Sequence, residues 1–177
     1  DEAARELYLV TQELTEAAGL PAYEVSNHAR PGEACRHNLL YWHYGPYAGI
    51  GPGAHGRLII EGRRHATVGE RNPEHWLRLV EANGHGISED TPLEREEEAD
   101  EMLLMGLRLA QGFDLARLDA YGLSVAPETI DALIGDGLLA RRHPDTVAAA
   151  TPSGRLVLNG IVAEISRALV PSGQPVS

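Results

Sequence analysis

Apolar residues recur at three- and four-residue steps from the start of the chain. Ala3, Leu7, Val10, Leu14 and Ala17 fall on one helical face. Gly19 closes that helix, since glycine takes the left-handed C-cap conformation at little cost. Residues 22–25 read as a short strand and 26–33 as a polar loop. Residues 47–50 read as another buried strand, ending in the glycine-rich turn 51–54. The runs 57–60 and 63–68 flank Glu61-Gly62 and predict a hairpin. Asn72 and Pro73 mark the N-cap and first position of a helix reaching about residue 82. From 83 to 93 the pattern dissolves into Gly, Ser, Asp, Thr and Pro, which places a boundary between two units.

The second unit opens on Glu96, Glu97 and Glu98, an acidic first turn suited to a helix N-terminus. Ala99, Met102, Leu103, Gly106, Leu107 and Ala110 supply that helix's apolar face. Shorter helices are predicted at 115–121 and 127–134. Strands are predicted at 138–142 and 146–150, joined by His143-Pro144-Asp145, and a last helix at 155–169. Three helices, a two-stranded wing and a closing helix describe a winged-helix-like unit. The expected division is therefore 1–90, 91–170 and a flexible tail at 171–177.

Composition narrows the function classes. At 177 residues with 43% hydrophobic and 23% charged positions, global disorder is excluded. The net charge is -11, and all 15 basic residues are arginine. That excess repels phosphate backbones, so nucleic-acid binding is not expected. The recognition-helix position of the winged unit, 127–134, carries Glu128 and Asp131 and no arginine, so protein docking suits it better than DNA. No apolar run reaches about 18 residues, so no membrane span is expected. No basic segment followed by an apolar core opens the chain, so no export signal is expected. Cys35, the single cysteine, suits a reducing compartment, and the expected location is cytoplasmic. Asp1 already lies inside the first helical pattern, so the chain reads as part of a longer one.

Candidate chemistry concentrates in residues 37–56, where twenty consecutive positions carry no Asp, Glu, Lys or Arg. If 37–44 is helical, His37, Tyr41 and Tyr44 share one face, and Asn38 and Trp42 the adjacent stripe. An imidazole flanked by a phenol and an indole suits iron ligation with the rings packed on a porphyrin. The plainer alternative makes Tyr41 and Trp42 core residues and His37 a turn cap. His28, Cys35, His37 and His43 are four zinc-type ligands, but their spacing matches no common finger pattern. Residues 51–56 fit the letters of G-x-G-x-x-G, yet a strand rather than a helix is predicted to follow, which argues against a dinucleotide site. No G-x-S-x-G or evident catalytic cysteine supports nucleophilic catalysis.

Three ordered stretches carry a resemblance: Tyr23-Glu24-Val25-Ser26-Asn27, Cys35-Arg36-His37-Asn38-Leu39-Leu40-Tyr41-Trp42, and Gly49-Ile50-Gly51-Pro52-Gly53-Ala54-His55. The chain resembles the C-terminal half of radical S-adenosylmethionine proteins of the oxygen-independent coproporphyrinogen III oxidase-like group. Within that group it is most similar to the heme chaperone branch. The resemblance implies an α/β fold: the C-terminal strands of a partial (β/α) barrel, with 22–25 and 47–50 as late strands, then a small winged-helix-like α+β domain. Ligands of such barrels sit at the carboxyl ends of the strands, here Ser26-Asn27 and the Gly51 turn.

The same resemblance implies heme binding at His37, Asn38, Tyr41 and Trp42, with His37 as the iron ligand. It makes Gly49, Ile50, Gly51 and Ala54 neighbours of S-adenosylmethionine. The implied function is binding heme and delivering it to a recipient protein, with oxygen-independent coproporphyrinogen III oxidation as the alternative. The implied partners are heme, a heme-receiving protein and an N-terminal half of the barrel. The family's Cys-x-x-x-Cys-x-x-Cys is absent, and one cysteine cannot supply the three thiolates of a [4Fe–4S] cluster. Radical chemistry is not expected from this chain alone.

Overall fold

The computed structural model describes residues 2–142 and 146–172. They form two compact units: 1–43 together with 99–177, and 44–98. This division differs from the boundary expected at 83–93. The N-terminal segment belongs with the C-terminal one because a bridge joins Glu24 to Leu109, and Ala110 N–H donates to Tyr23 O at 3.0 Å.

In the first unit, α1 (Glu2–Ala17) follows the predicted periodicity, and Gly19 takes the expected positive φ of 75°. None of its residues is buried. α2 (Arg36–Trp42) is a short helix described with the candidate site below. The core lies in 99–165. α4 (Arg95–Gly106) contributes Ala99, Met102, Leu103 and Gly106, all buried, at the spacing of one helical stripe. Gly106 lacks a side chain because the ring of Phe113 packs onto the helix backbone there, where a Cβ would collide with it. A 3-10 helix (Leu115–Tyr121), α5 (Pro127–Gly135) and α7 (Leu158–Arg167) close around Phe113, Leu118, Ile130, Leu133, Ile161 and Ile165. Each such burial removes about 2 kcal/mol of apolar exposure.

The wing is present as β6 (Leu139–Arg142) paired antiparallel with β7 (Val147–Ala150). β4 (Phe113–Asp114) extends the sheet in the order β4-β7-β6. The expected connecting residues, 143–145, lie outside the described residues, as does most of the expected tail, 173–177. The predicted closing helix is two helices, α6 (Pro152–Leu156) and α7, with the break at Val157. Leu169–Pro171, expected to end a helix and begin the tail, is β8, paired with β5 (Leu123–Val125).

The second unit is a three-stranded antiparallel sheet, β1 (His55–Ile60), β2 (Arg63–Gly69) and β3 (Ile87–Pro92), with α3 (Pro73–Asn83) between the last two strands. The hairpin turn sits where predicted, with Glu61 and Gly62 both at positive φ, as a tight two-residue turn requires. Asn72 caps α3 by accepting the His75 N–H. β3 replaces much of the expected linker. Its exposed Glu89 and Asp90 are what an edge strand carries, and they erase the alternation by which strands are read.

Two segments expected as barrel strands are not strands. Residues 22–25 make single bridges, Ala22 to His28 and Glu24 to Leu109, and 47–50 makes one, Tyr47 to Arg57. None of these bridges extends into a ladder, and Ile50, expected to be buried, is 87% exposed.

Candidate functional site

α2 begins at Cys35, which supplies no side-chain cap, and ends where Tyr44 turns to a φ of 59° ahead of Gly45-Pro46. This removes Tyr44 from the face predicted for it: Tyr44 is buried in the second unit, under the guanidinium of Arg64, 4.0 Å from its ring centroid. His37 and Tyr41 do meet. The Tyr41 hydroxyl lies 2.9 Å from His37 Nε2, with the rings edge to face at 4.6 Å. His37 is exposed and Tyr41 half-buried.

Asn38 and Trp42 are held from the other side. Asn38 Nδ2 donates to the Tyr23 hydroxyl at 3.0 Å. The Arg108 guanidinium lies 4.3 Å from the Trp42 ring centroid, stacked on one face of the indole. The same guanidinium donates through Nε and Nη2 to Glu24 Oε2, at 3.2 and 3.0 Å. Glu24 is fully buried. Its other oxygen, Oε1, accepts from Ser26 N–H at 2.7 Å, Ser26 Oγ at 2.9 Å and Asn27 Nδ2 at 2.7 Å. Burial alone would raise this carboxyl's pKa. The donors of Ser26, Asn27 and Arg108 outweigh it and lower the pKa below the ordinary 4.5, so Glu24 is an anion at neutral pH.

Glu24, Tyr23 and Arg108 were not singled out as site residues by pattern. The available signal was a carboxylate inside a segment read as a buried strand. Arg108, 84 residues away, sits in the turn that follows α4, where helical periodicity carries no information. Next to α2, His43 has its pKa lowered by burial and by the charge of Arg117, whose Nη2 donates to His43 O at 3.0 Å. The zinc-type residues do not converge: among the described residues, no three His, Cys, Asp or Glu side chains group to hold a metal.

The glycine-rich turn lies in the second unit and is followed by β1, so no helix N-terminus faces it. Its two glycines, Gly51 and Gly53, take positive φ of 109° and 71°, and the tight packing falls on the glycines that flank it. A Cβ on Gly49 would collide with the His55 carbonyl, and one on Gly69 would stand 2.7 Å from Gly51 O. Gly51, at φ 109°, faces open space. No helix among the described residues is long and apolar enough to cross a membrane.

The chain is similar to known proteins over most of its length. Residues 93–157 match the family model of the HemN C-terminal domain. The chain is 42% identical over 153 residues to radical S-adenosyl methionine domain-containing protein 1, mitochondrial, of Bos taurus, covering 80% of this chain and 35% of that protein. It is 35% identical over 162 residues to heme chaperone HemW of Mycobacterium tuberculosis, covering 92% and 39%. With heme chaperone HemW of Bacillus subtilis it shares 31% over 164 residues, covering 90% and 42%. Among solved structures, Escherichia coli coproporphyrinogen III oxidase (HemN), a radical SAM enzyme, shares the fold at a TM-score of 0.62 and 13% identity, over 89% of this chain and 39% of that one. The chain thus spans 35–42% of the length of these relatives.

Proposed function

This chain is of the HemW/HemN type, and from that premise we propose that it carries the heme-binding segment of a protein that receives heme and delivers it to a recipient protein. The observation that carries this reading is exposed His37, paired with half-buried Tyr41, on a helix whose opposite stripe is anchored. Heme is the cargo, and His37 is its proposed iron ligand. Its Nε2 is turned to the Tyr41 hydroxyl, which leaves Nδ1 free to coordinate. In metal-bound histidines, the hydrogen bond on one ring nitrogen selects the other for the metal. Asn38 and Trp42 take part by holding the helix, through the Tyr23 hydroxyl and the Arg108 guanidinium.

The experiment is a hemin titration of this chain beside His37→Ala, followed at the Soret band. Saturable one-to-one binding that weakens at least tenfold in the variant supports the reading, and binding indifferent to the substitution removes it.

For S-adenosylmethionine, Gly49, Ile50, Gly51 and Ala54 are the proposed neighbours. Exposed Ile50 and the open side of Gly51 support this, while Gly49 is already accounted for by the turn. A [4Fe–4S] cluster does not fit this chain's residues. Cys35 is its one cysteine, and it is exposed. No radical step is assigned to the chain, and the oxidase alternative rests on the shared fold and on the HemN C-terminal domain match over 93–157. A cytoplasmic location is proposed from the lone free thiol.

A further inference from the structure

The residues of α2 divide by rotation into two sets. At about 100° per residue, Asn38 and Trp42 share the anchored stripe, while Arg36, Leu40, His37 and Tyr41 follow one another around an arc of about 140° on the other side. Arg36, Leu40 and His37 are exposed, Leu40 retaining 40% of its surface. Nothing in the local structure explains either Arg36 or Leu40. Among the described residues the Arg36 side chain has no hydrogen-bond or ion-pair partner. The nearest carboxylate in sequence, Glu33, lies 3.7 Å from Arg30 instead. A cation in the first turn of a helix also opposes the peptide dipoles. Leu40 leaves apolar surface in water beside an imidazole.

We propose that Arg36 and Leu40 complete the heme surface, with Leu40 lying against the macrocycle beside His37 and Arg36 pairing with a propionate carboxylate. Heme is a flat apolar ring with two carboxylates on one edge. The arc presents the matching order: a guanidinium at its margin, then an aliphatic side chain, the ligating imidazole and a phenol. From Arg36 to Tyr41 the axial rise is about 7.5 Å, so one ligand can touch all four. The assignment rests on the heme reading above and adds the chemistry by which the cargo is recognised: a tetrapyrrole bearing free carboxylates.

Hemin and its dimethyl ester, titrated against the chain as it stands and against Arg36→Gln, Arg36→Lys and Leu40→Ser, test this. The unaltered chain should bind hemin about two- to fivefold more tightly than the ester, the upper range of an exposed ion pair. Arg36→Gln should erase that preference by weakening hemin alone, Arg36→Lys should restore part of it, and Leu40→Ser should weaken both ligands alike. An unchanged hemin-to-ester ratio in Arg36→Gln, or unchanged affinities in Leu40→Ser, overturns the assignment while His37-dependent binding stands. If His37→Ala leaves the Soret change intact, the heme reading fails as well, and the two failures are told apart by that variant.

Discussion

At the scale of single residues, the most demanding feature is a charge placed where water cannot reach it. Glu24 is fully buried and accepts five hydrogen bonds from Ser26, Asn27 and Arg108. A carboxamide here removes Arg108's counter-ion and keeps one acceptor oxygen, so its NH2 must face either the Arg108 donors or those of the loop 24–27. Glu24→Gln should therefore cost about 2–3 kcal/mol of unfolding free energy, measured by denaturant titration. A loss below about 0.5 kcal/mol would show that the cluster holds nothing. The pH dependence has a definite sign. A carboxyl whose pKa is lower folded than unfolded stabilises the fold above its unfolded value, here near 4.5, and that contribution vanishes as pH falls through the folded value. The melting temperature should drop below about pH 4.5, and Glu24→Gln should flatten that part of the profile. The charge pattern of the sequence shows Glu24 and Arg108 as two of its 41 charged residues (26 acidic, 15 basic). Only the fold makes them a pair, because 84 residues of chain must close before they meet.

Elements whose signals are local were legible. The hairpin at Glu61-Gly62, the Asn72-capped helix α3, the apolar stripe of α4 and the paired strands of the wing need only turn chemistry, capping and periodicity. Elements defined by a distant partner were not. β3 and β8 exist because β2 and β5 offer them open edges, and 22–25 fails to extend because only isolated bridges meet it. Two glycines show the same contrast within neighbouring helices. At Gly154 in α6 an added Cβ would collide with the Leu138 carbonyl, whereas Gly160 in α7 has nothing within 4 Å. Gly154→Ala should destabilise by about 1–3 kcal/mol through overpacking. Gly160→Ala should stabilise by roughly 0.5–1 kcal/mol through helix propensity. Thermal unfolding of the two variants reads both, and equal effects would contradict the packing described for α6.

At the scale of the whole molecule, each compact unit raises its own question. The second unit, 44–98, is built on a sheet whose strands are local in sequence. In the first, the core comes from 99–165, while α1 keeps its apolar face uncovered, with Leu7 at 69%, Val10 at 50% and Leu14 at 65% exposure. Charges placed there should cost little stability and reduce hydrophobic association. Leu7→Glu with Leu14→Glu should shift the unfolding free energy by less than about 0.5 kcal/mol and lower the mass seen by light scattering at high concentration. A loss of several kcal/mol would mean that the face is packed. The sequence by itself determined the class of fold, the family, the helix carrying His37 and the shared face of His37 and Tyr41, because turns, caps and four-residue spacings are short-range. Tertiary structure decided the rest. It took Tyr44 out of that helix, replaced expected barrel strands with single bridges, and set Arg108 between Glu24 and Trp42. Strand pairing and buried ion pairs are contacts between segments far apart along the chain, and their free energy exists only once both partners are in place.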